Sequence, residues 1–346
     1  EELERLAAGS DGTITVTELP APPGPRYRPA VRRVPDLRCR ALGRPLGRSW
    51  RSSSFSALVS SASLSHEAVA GRDLDEAGDG GEPLQGAGMG PGETIELHDF
   101  PRGARAGNLL HAIFEQLDFR EVDAAAKDEL IRGALRRFGF EGHWLEVLRR
   151  TVDATLDTPL GGRTGPRLRE VAPDDRLTEL EFVFPVAQVA GARLDPAQLA
   201  SAFSNHATEL SDYAAHLAAL RFPALQGYLR GFVDLAFEHE GRWYVVDYKS
   251  NFLGPHPQDY RLESMRRAMG EHHYILQYHL YVLALHRYLS LRVPAYAYDQ
   301  SFGGVFYLFV RGMSPASPEL GVFADRPPGA LIEALSGLMG RAGDPR

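Results

Sequence analysis

Apolar and polar positions alternate with different periods along the chain, and those periods predict its elements. FPRGARAGNLLHAIFEQLDF, starting at Phe100, sets Leu109, Leu110, Ile113, Phe114 and Leu117 at helical spacing, with Asn108, His111, Glu115 and Asp118 on the opposite stripe. That pattern is an amphipathic helix. Residues 121–157 continue as helices, LEVLRRTVDATLD being the clearest. ELEFVFPV, within 177–189, predicts one long strand or a strand pair, and 195–220 reads as helical. GFVDLAFEHEGRWYVVDYKSN, 231–251, predicts two strands joined by a Glu240-Gly241 turn. A long helix from about 271 to 289, a buried strand at 303–312 (GGVFYLFVRG) and a last helix over 329–339 follow. Near the start, Thr13–Leu19 (TITVTEL) predicts a short strand, and SSSFSALVSSASL, 52–64, a short helix with a serine cap. Helices and strands are mixed, with the strands clustered centrally, so the fold class is α/β or α+β.

The hairpin raises a chemical question. With Glu240-Gly241 as the loop, His239 pairs with Arg242, Glu238 with Trp243 and Phe237 with Tyr244. Continued down the ladder, this register sets Asp234 opposite Asp247 on one face, their Cβ atoms about 5 Å apart. Lys249, two residues on, shares that face. Like charges directly opposite destabilise a sheet. A shared proton, pairing with Lys249, or a divalent cation held by both carboxylates would each offset the repulsion. A cation beside a lysine suits phosphodiester hydrolysis. A solvated hairpin face would carry the same residues with no site, but the apolar flanks Phe232, Val233, Leu235, Val245 and Val246 argue for burial.

Composition sharpens this point. Among 38 basic residues only Lys127 and Lys249 are lysine. Where arginine is the default cation, Lys249 marks a place that calls for a compact amine. A net charge of −7 argues against a protein that coats nucleic acid and leaves room for a local basic groove. The one cysteine, Cys39, excludes an internal disulfide and a Cys-rich zinc site and fits a reducing compartment, the cytoplasm. No apolar run approaches the roughly 18 residues that span a bilayer, so no membrane partner is expected. Neither lysine sits in the Gly-Lys-Ser/Thr context of an ATP-binding loop, so no motor is expected in this stretch.

Three regions are expected. Residues 1–70 contain an Arg-rich stretch, 26–51, with nine arginines and one aspartate. It reads as a solvated connector or as a surface for phosphates or a partner. Residues 71–95 are Gly-rich and acidic, a flexible linker. Residues 96–346 form the compact domain. The chain starts with Glu rather than Met, as a segment of a longer protein does.

Asp234, followed a dozen residues later by Asp-Tyr-Lys-Ser-Asn, resembles the signature of the PD-(D/E)xK nucleases. GFVDLAFEHEGRWYVVDYKSNFLG, then YILQYHLYVLALHRYL and FGGVFYLFVRG, is similar to the nuclease domains of the RecB family, subunits of bacterial exodeoxyribonuclease V. The dense similarity runs from about 100 to about 327. WRSSSFSALVS matches more weakly, as the end of a helicase region and its tether. The resemblance implies a restriction-endonuclease-like core, a central mixed sheet flanked by helices. It implies that Asp234, Asp247, His111 and the Tyr248 carbonyl are metal ligands, that Lys249 is the catalytic lysine, and that Glu115 supports His111 from one turn later. Gln277 and Tyr281 match a QxxxY motif that contacts the scissile strand or holds Lys249. Beside them Leu276, Leu280 and Leu283 form the helix's apolar stripe, and His272 and His273 read as surface residues.

The same resemblance implies Mg2+ as cofactor, with Ca2+ or Mn2+ as substitutes. It implies DNA single strands from an unwound duplex as substrate, RecC- and RecD-like subunits as partners, RecA loaded at the domain surface, and a role in double-strand break repair and recombination. The rival expectation is a non-catalytic module on the same fold that guides DNA or docks a partner or RecA. Intact Asp234, Asp247 and Lys249 argue against it.

Overall fold

The computed structural model describes residues 2–19, 24, 50–59, 94–186, 194–222 and 225–339. Most of the expected Gly-rich linker, 71–95, and most of the Arg-rich stretch lie outside the described residues; Ile95, at the linker's end, is buried in the core. The chain forms two units, residues 1–46 and 47–346.

The first unit contains helix α1 (Glu2–Ala8), which buries none of its residues. The strand expected at Thr13–Leu19 does not form. Thr13 Oγ1 donates to the Ser10 carbonyl at 2.5 Å, and Ser10 Oγ accepts the Ile14 N–H at 2.9 Å. Such local bonds compete with a ladder, and Ile14, Val16 and Leu19 stay exposed.

The second unit runs β1 (Trp50–Ser54), α2 (Phe55–Val59), α3 (Ala104–Gln116), α4 (Ala124–Phe138), α5 (Leu145–Asp157), β2 (Arg176–Val186), α6 (Pro196–His206), α7 (Ser211–Ala219), β3 (Gln226–His239) and β4 (Arg242–Lys249). It continues through α8 (Leu262–Glu271), α9 (Tyr274–Arg292), α10 (Tyr298–Ser301), β5 (Phe302–Phe309), β6 (Val322–Asp325) and α11 (Gly329–Leu338). The expected serine cap is Ser54, whose Oγ accepts the Ala57 N–H at 3.3 Å. The long helix expected over about 271–289 forms as α9, and α8 precedes it. The chain turns between them at His273, whose φ of 56° is left-handed. Every residue of α9 from Tyr274 to Leu285 is buried. A helix apolar on all sides belongs inside a fold.

Six strands make one mixed sheet, in the order β1-β3-β4-β5-β6 with β2 also on β3. β2 lies antiparallel along one edge of β3, from Gly227 to Phe237. The other edge is shared. β1 runs parallel to Gln226–Arg230, and β4 runs antiparallel to Leu235–His239. A gap at Gly231–Asp234 therefore separates β1 from β4. β4 is parallel to β5, and β5 antiparallel to β6.

Each face of the sheet carries a core. Phe184, Leu229 and Val245 pack with Leu217, Leu276, Leu283 and Leu335 of α7, α9 and α11. Leu235, Val246 and Leu308 pack with Leu109, Ile113, Leu135 and Leu148 of α3, α4 and α5. The result is a sheet between two helical layers, as expected for a mixed sheet flanked by helices.

Candidate active site

The hairpin folds as its turn residues dictate. Glu240 and Gly241 both have positive φ, 51° and 75°, the type I′ geometry whose twist matches the flanking strands. The pairs His239↔Arg242, Glu238↔Trp243 and Phe237↔Tyr244 form as expected. The ladder stops at Leu235↔Val246, one pair short of Asp234 and Asp247. Instead Asp234 Oδ2 accepts the backbone N–H of Tyr248 at 3.0 Å. A side chain has replaced a carbonyl in the ladder. The strand also turns over here, because Val233 belongs to one core and Leu235, two residues on, to the other. Opposite it, the β2–β3 register skips Glu179, whose φ is 51°. Asp234 thus sits at a local break in an otherwise regular strand, at the end of the gap between β1 and β4.

His111 reaches this break from α3. Its Nδ1 lies 3.2 Å from Asp234 Oδ2, and the two side chains are 14% and 13% exposed, so solvent reaches them. The apolar stripe of α3 sets the position of His111. Phe114 stacks on Tyr248 of β4 with ring centroids 4.3 Å apart and planes 5° off parallel. Burial pushes the Asp234 carboxyl up. The charge and hydrogen bond of His111, the Lys249 ammonium and the Tyr248 N–H outweigh it and hold the group below the usual carboxylate range. Burial, reinforced by the charges of Asp234 and Asp247, pushes the Tyr248 phenol well above its ordinary value, so it stays neutral. Glu115 lies half-buried one turn after His111 on α3.

Asp247 and Lys249 lie deeper. Lys249 Nζ is 2.7 Å from Asp247 Oδ2, and their side chains are 0% and 2% exposed. The solvated-face alternative is thereby excluded. A buried charge of either sign is costly alone and tolerable as a pair. The ammonium also faces aromatic rings, 4.0 Å from the Tyr274 centroid and 5.4 Å from that of Tyr307. Gln277 and Tyr281 are buried and bonded to each other, Gln277 Nε2 donating to Tyr281 Oη at 3.0 Å. Tyr307 Oη donates to Gln277 Oε1 at 3.0 Å. Tyr274 Oη donates to Asn251 Oδ1 at 3.2 Å. Tyr274 and Tyr307 are not among the residues that the sequence pattern singles out. Tyr274 stands three residues before Gln277, and this helical spacing was the available signal.

Arg311 is a third residue that the sequence pattern does not single out. It follows the buried run of β5, and the chain turns at Val310–Gly312 so that the guanidinium points inward. Nε donates to the Ser250 carbonyl at 2.6 Å, next to Lys249. Nη1 donates to Leu97 and Phe100 at 2.9 and 3.1 Å, and Nη2 to Pro101 at 2.7 Å. One side chain thus ties the end of β4 to the segment that leads into α3 and His111. The surface reading of His273 also needs correction. It is half-buried, its Nδ1 is 3.1 Å from Tyr213 Oη, and burial lowers its pKa.

Among the described residues no three His, Cys, Asp or Glu side chains are gathered into a metal cluster. The structure brings His111 to Asp234, and Asp247 to Lys249. The donor types still fit a hard divalent cation: two carboxylates from adjacent strands, an imidazole, and the Tyr248 carbonyl next to Asp247 in sequence. His111 and Asp234 meet solvent first, and the buried carboxylate and amine lie behind them.

Residues 87–336 match the family described as the PD-(D/E)XK nuclease superfamily. The chain belongs to this superfamily. Among PD-(D/E)XK proteins it is similar to RecBCD enzyme subunit RecB of Escherichia coli, 36% identical over 302 residues that cover 87% of this chain and 24% of that protein. The subunit of the same description from Haemophilus influenzae is 38% identical over 240 residues, 69% of this chain and 19% of that one. The Mycobacterium tuberculosis H37Rv subunit is 36% identical over 338 aligned residues, 89% and 30%. The chain therefore spans about a quarter of the length of the curated relatives it matches. Among the described residues no helix is long and apolar enough to cross a membrane.

Proposed function

We propose that this chain is the nuclease module of a RecBCD-type helicase–nuclease and hydrolyses phosphodiester bonds of DNA single strands with Mg2+. The observation that carries the reading is the buried Lys249–Asp247 pair beside the solvent-reached Asp234–His111 pair, in a chain of the PD-(D/E)XK superfamily. Asp234, Asp247, His111 and the Tyr248 carbonyl would hold the cation. When bound, a divalent cation polarises the scissile phosphate and activates water.

The chain's own residues do the rest. Lys249 presents a fixed positive charge toward the charge that develops on phosphorus oxygens. Asp247 orients that ammonium at 2.7 Å. His111 holds the Asp234 carboxylate in place, and Gln277 and Tyr281 brace the deeper wall. The strand would be gripped through its phosphates, with little sequence preference and a strong dependence on salt. The relatives' descriptions as RecBCD subunits support assembly with RecC- and RecD-like partners, and the reading extends to double-strand break repair with RecA loaded onto the trimmed strand.

The test is degradation of single-stranded DNA by the purified chain, with Mg2+ or with EDTA, beside Asp247→Ala. Degradation with Mg2+ alone that Asp247→Ala abolishes supports the proposal. Activity that survives the substitution defeats the site. Inactivity of both, alone and with RecC- and RecD-like subunits added, would leave a DNA-guiding or docking module.

A further inference from the structure

Lys249 is buried, and its ammonium meets both a carboxylate and aromatic rings. Asp247 Oδ2 lies at 2.7 Å, and the Tyr274 ring face at 4.0 Å. Tyr307 flanks the same nitrogen at 5.4 Å, and the two tyrosine rings are 5.8 Å apart, tilted by 37°. Both rings are tethered at their hydroxyls. Asn251, two residues after Lys249, holds Tyr274, and Gln277 holds Tyr307. Tyr281 in turn takes the Gln277 amide.

We infer that Tyr274 and Tyr307 are positioning residues that form an aromatic cradle for the Lys249 ammonium, and that Gln277 acts on Lys249 through Tyr307. This rests on the nuclease reading for its kinetic consequence, though not for the cradle itself. A lysine stem has four rotatable bonds and a strongly hydrated head. In a dry site the face of an aromatic ring replaces part of that hydration and restricts where the charge lies. Asp247 fixes the distance from one side, and the rings keep the ammonium from swinging away. The arrangement also explains a lysine in an arginine-rich chain. A guanidinium spreads its charge over a plane, whereas the ammonium concentrates it at one nitrogen that meets the carboxylate end-on beside the rings.

The scarcity of lysine supplies the experiment. Labelling lysine side chains with 13C and 15N gives signals from only Lys127 and Lys249. Lys127 pairs with Asp153 at 2.5 Å and serves as the internal reference. In the wild-type chain the Lys249 Cε protons are expected well upfield of those of Lys127, shifted by the Tyr274 ring current. Tyr274→Phe keeps that shift, and Tyr274→Leu loses it. In the Mg2+ assay Tyr274→Leu lowers kcat about thirtyfold with KM for DNA within twofold, while Tyr274→Phe stays within threefold of wild type.

The inference is overturned if the two lysines resonate together in the wild type, a result that needs no variant to fold. It is also overturned if Tyr274→Phe falls as far as Tyr274→Leu, or if Tyr274→Leu keeps full kcat. A wild-type chain inactive on DNA, alone and with RecC- and RecD-like subunits added, would sink the nuclease reading and leave the resonance comparison to decide the cradle alone.

Discussion

Asp234 accepts the backbone N–H of Tyr248 at 3.0 Å and lies 3.2 Å from the His111 imidazole, so one carboxylate both closes the β3–β4 ladder and opens the site. The two duties separate by substitution. Asp234→Asn keeps an acceptor for the N–H and removes the charge. Its stability in urea should stay within about 1 kcal/mol of wild type while Mg2+-dependent cleavage falls more than about a hundredfold. Asp234→Ala should lose cleavage equally and also cost about 1–3 kcal/mol, from the stranded N–H.

Arg311 bonds four carbonyls inside the protein. Arg311→Met fits a similar stem but strands those acceptors. Urea denaturation should show a loss of roughly 3 kcal/mol or more, with hydrogen bonds to a charged group as the source. Arg311→Lys, which cannot span four carbonyls, should recover less than half of it.

His279 is wholly buried in α9, its Nδ1 2.7 Å from the Ile275 carbonyl. Burial pushes its pKa from 6.5 down to about 4, against the Ile275 hydrogen bond and the Asp325 charge. The folded chain then leaves the ring neutral where an unfolded chain protonates it. Stability is full above pH 6.5 and is lost as pH falls toward 4. The slope from this group is about 1.4 kcal/mol per unit. Denaturation curves at pH 7, 6 and 5 should show it, and His279→Phe should flatten it by one proton.

Calcium tests the ligand set without catalysis. Ca2+ at a hundred times its dissociation constant should stabilise the chain by about 2.7 kcal/mol, read as a rise in Tm that EDTA reverses. Asp247→Ala or His111→Ala should remove the rise.

Much of this site was legible in the order of residues. Helix α3 follows from Leu109, Leu110, Ile113 and Phe114, and the hairpin register follows from a Gly at position 241 and a period of two. Those short-range rules do not contain the break at Asp234, where a side chain captures a backbone N–H from the neighbouring strand. The expected strand at Thr13–Leu19 had the right alternation, but Ser10 and Thr13 capture the local backbone instead. Tyr274 and Tyr307 sit among apolar neighbours and look like ordinary core until the ammonium beneath them is seen. The partners of Arg311 lie 61 to 214 positions away, beyond any periodicity.

That last separation bears on how the protein is made. The entrance to α3 is synthesised some 210 residues before the side chain that anchors it. A ribosome that has passed Lys249 has already made every proposed ligand and the Phe114–Tyr248 stack, yet the tie from the end of β4 to the entrance of α3 waits until residue 311 emerges. The candidate site is therefore among the last parts of the domain to set, and a chain that stops early carries all its proposed ligands without the Arg311 tie that helps to align them.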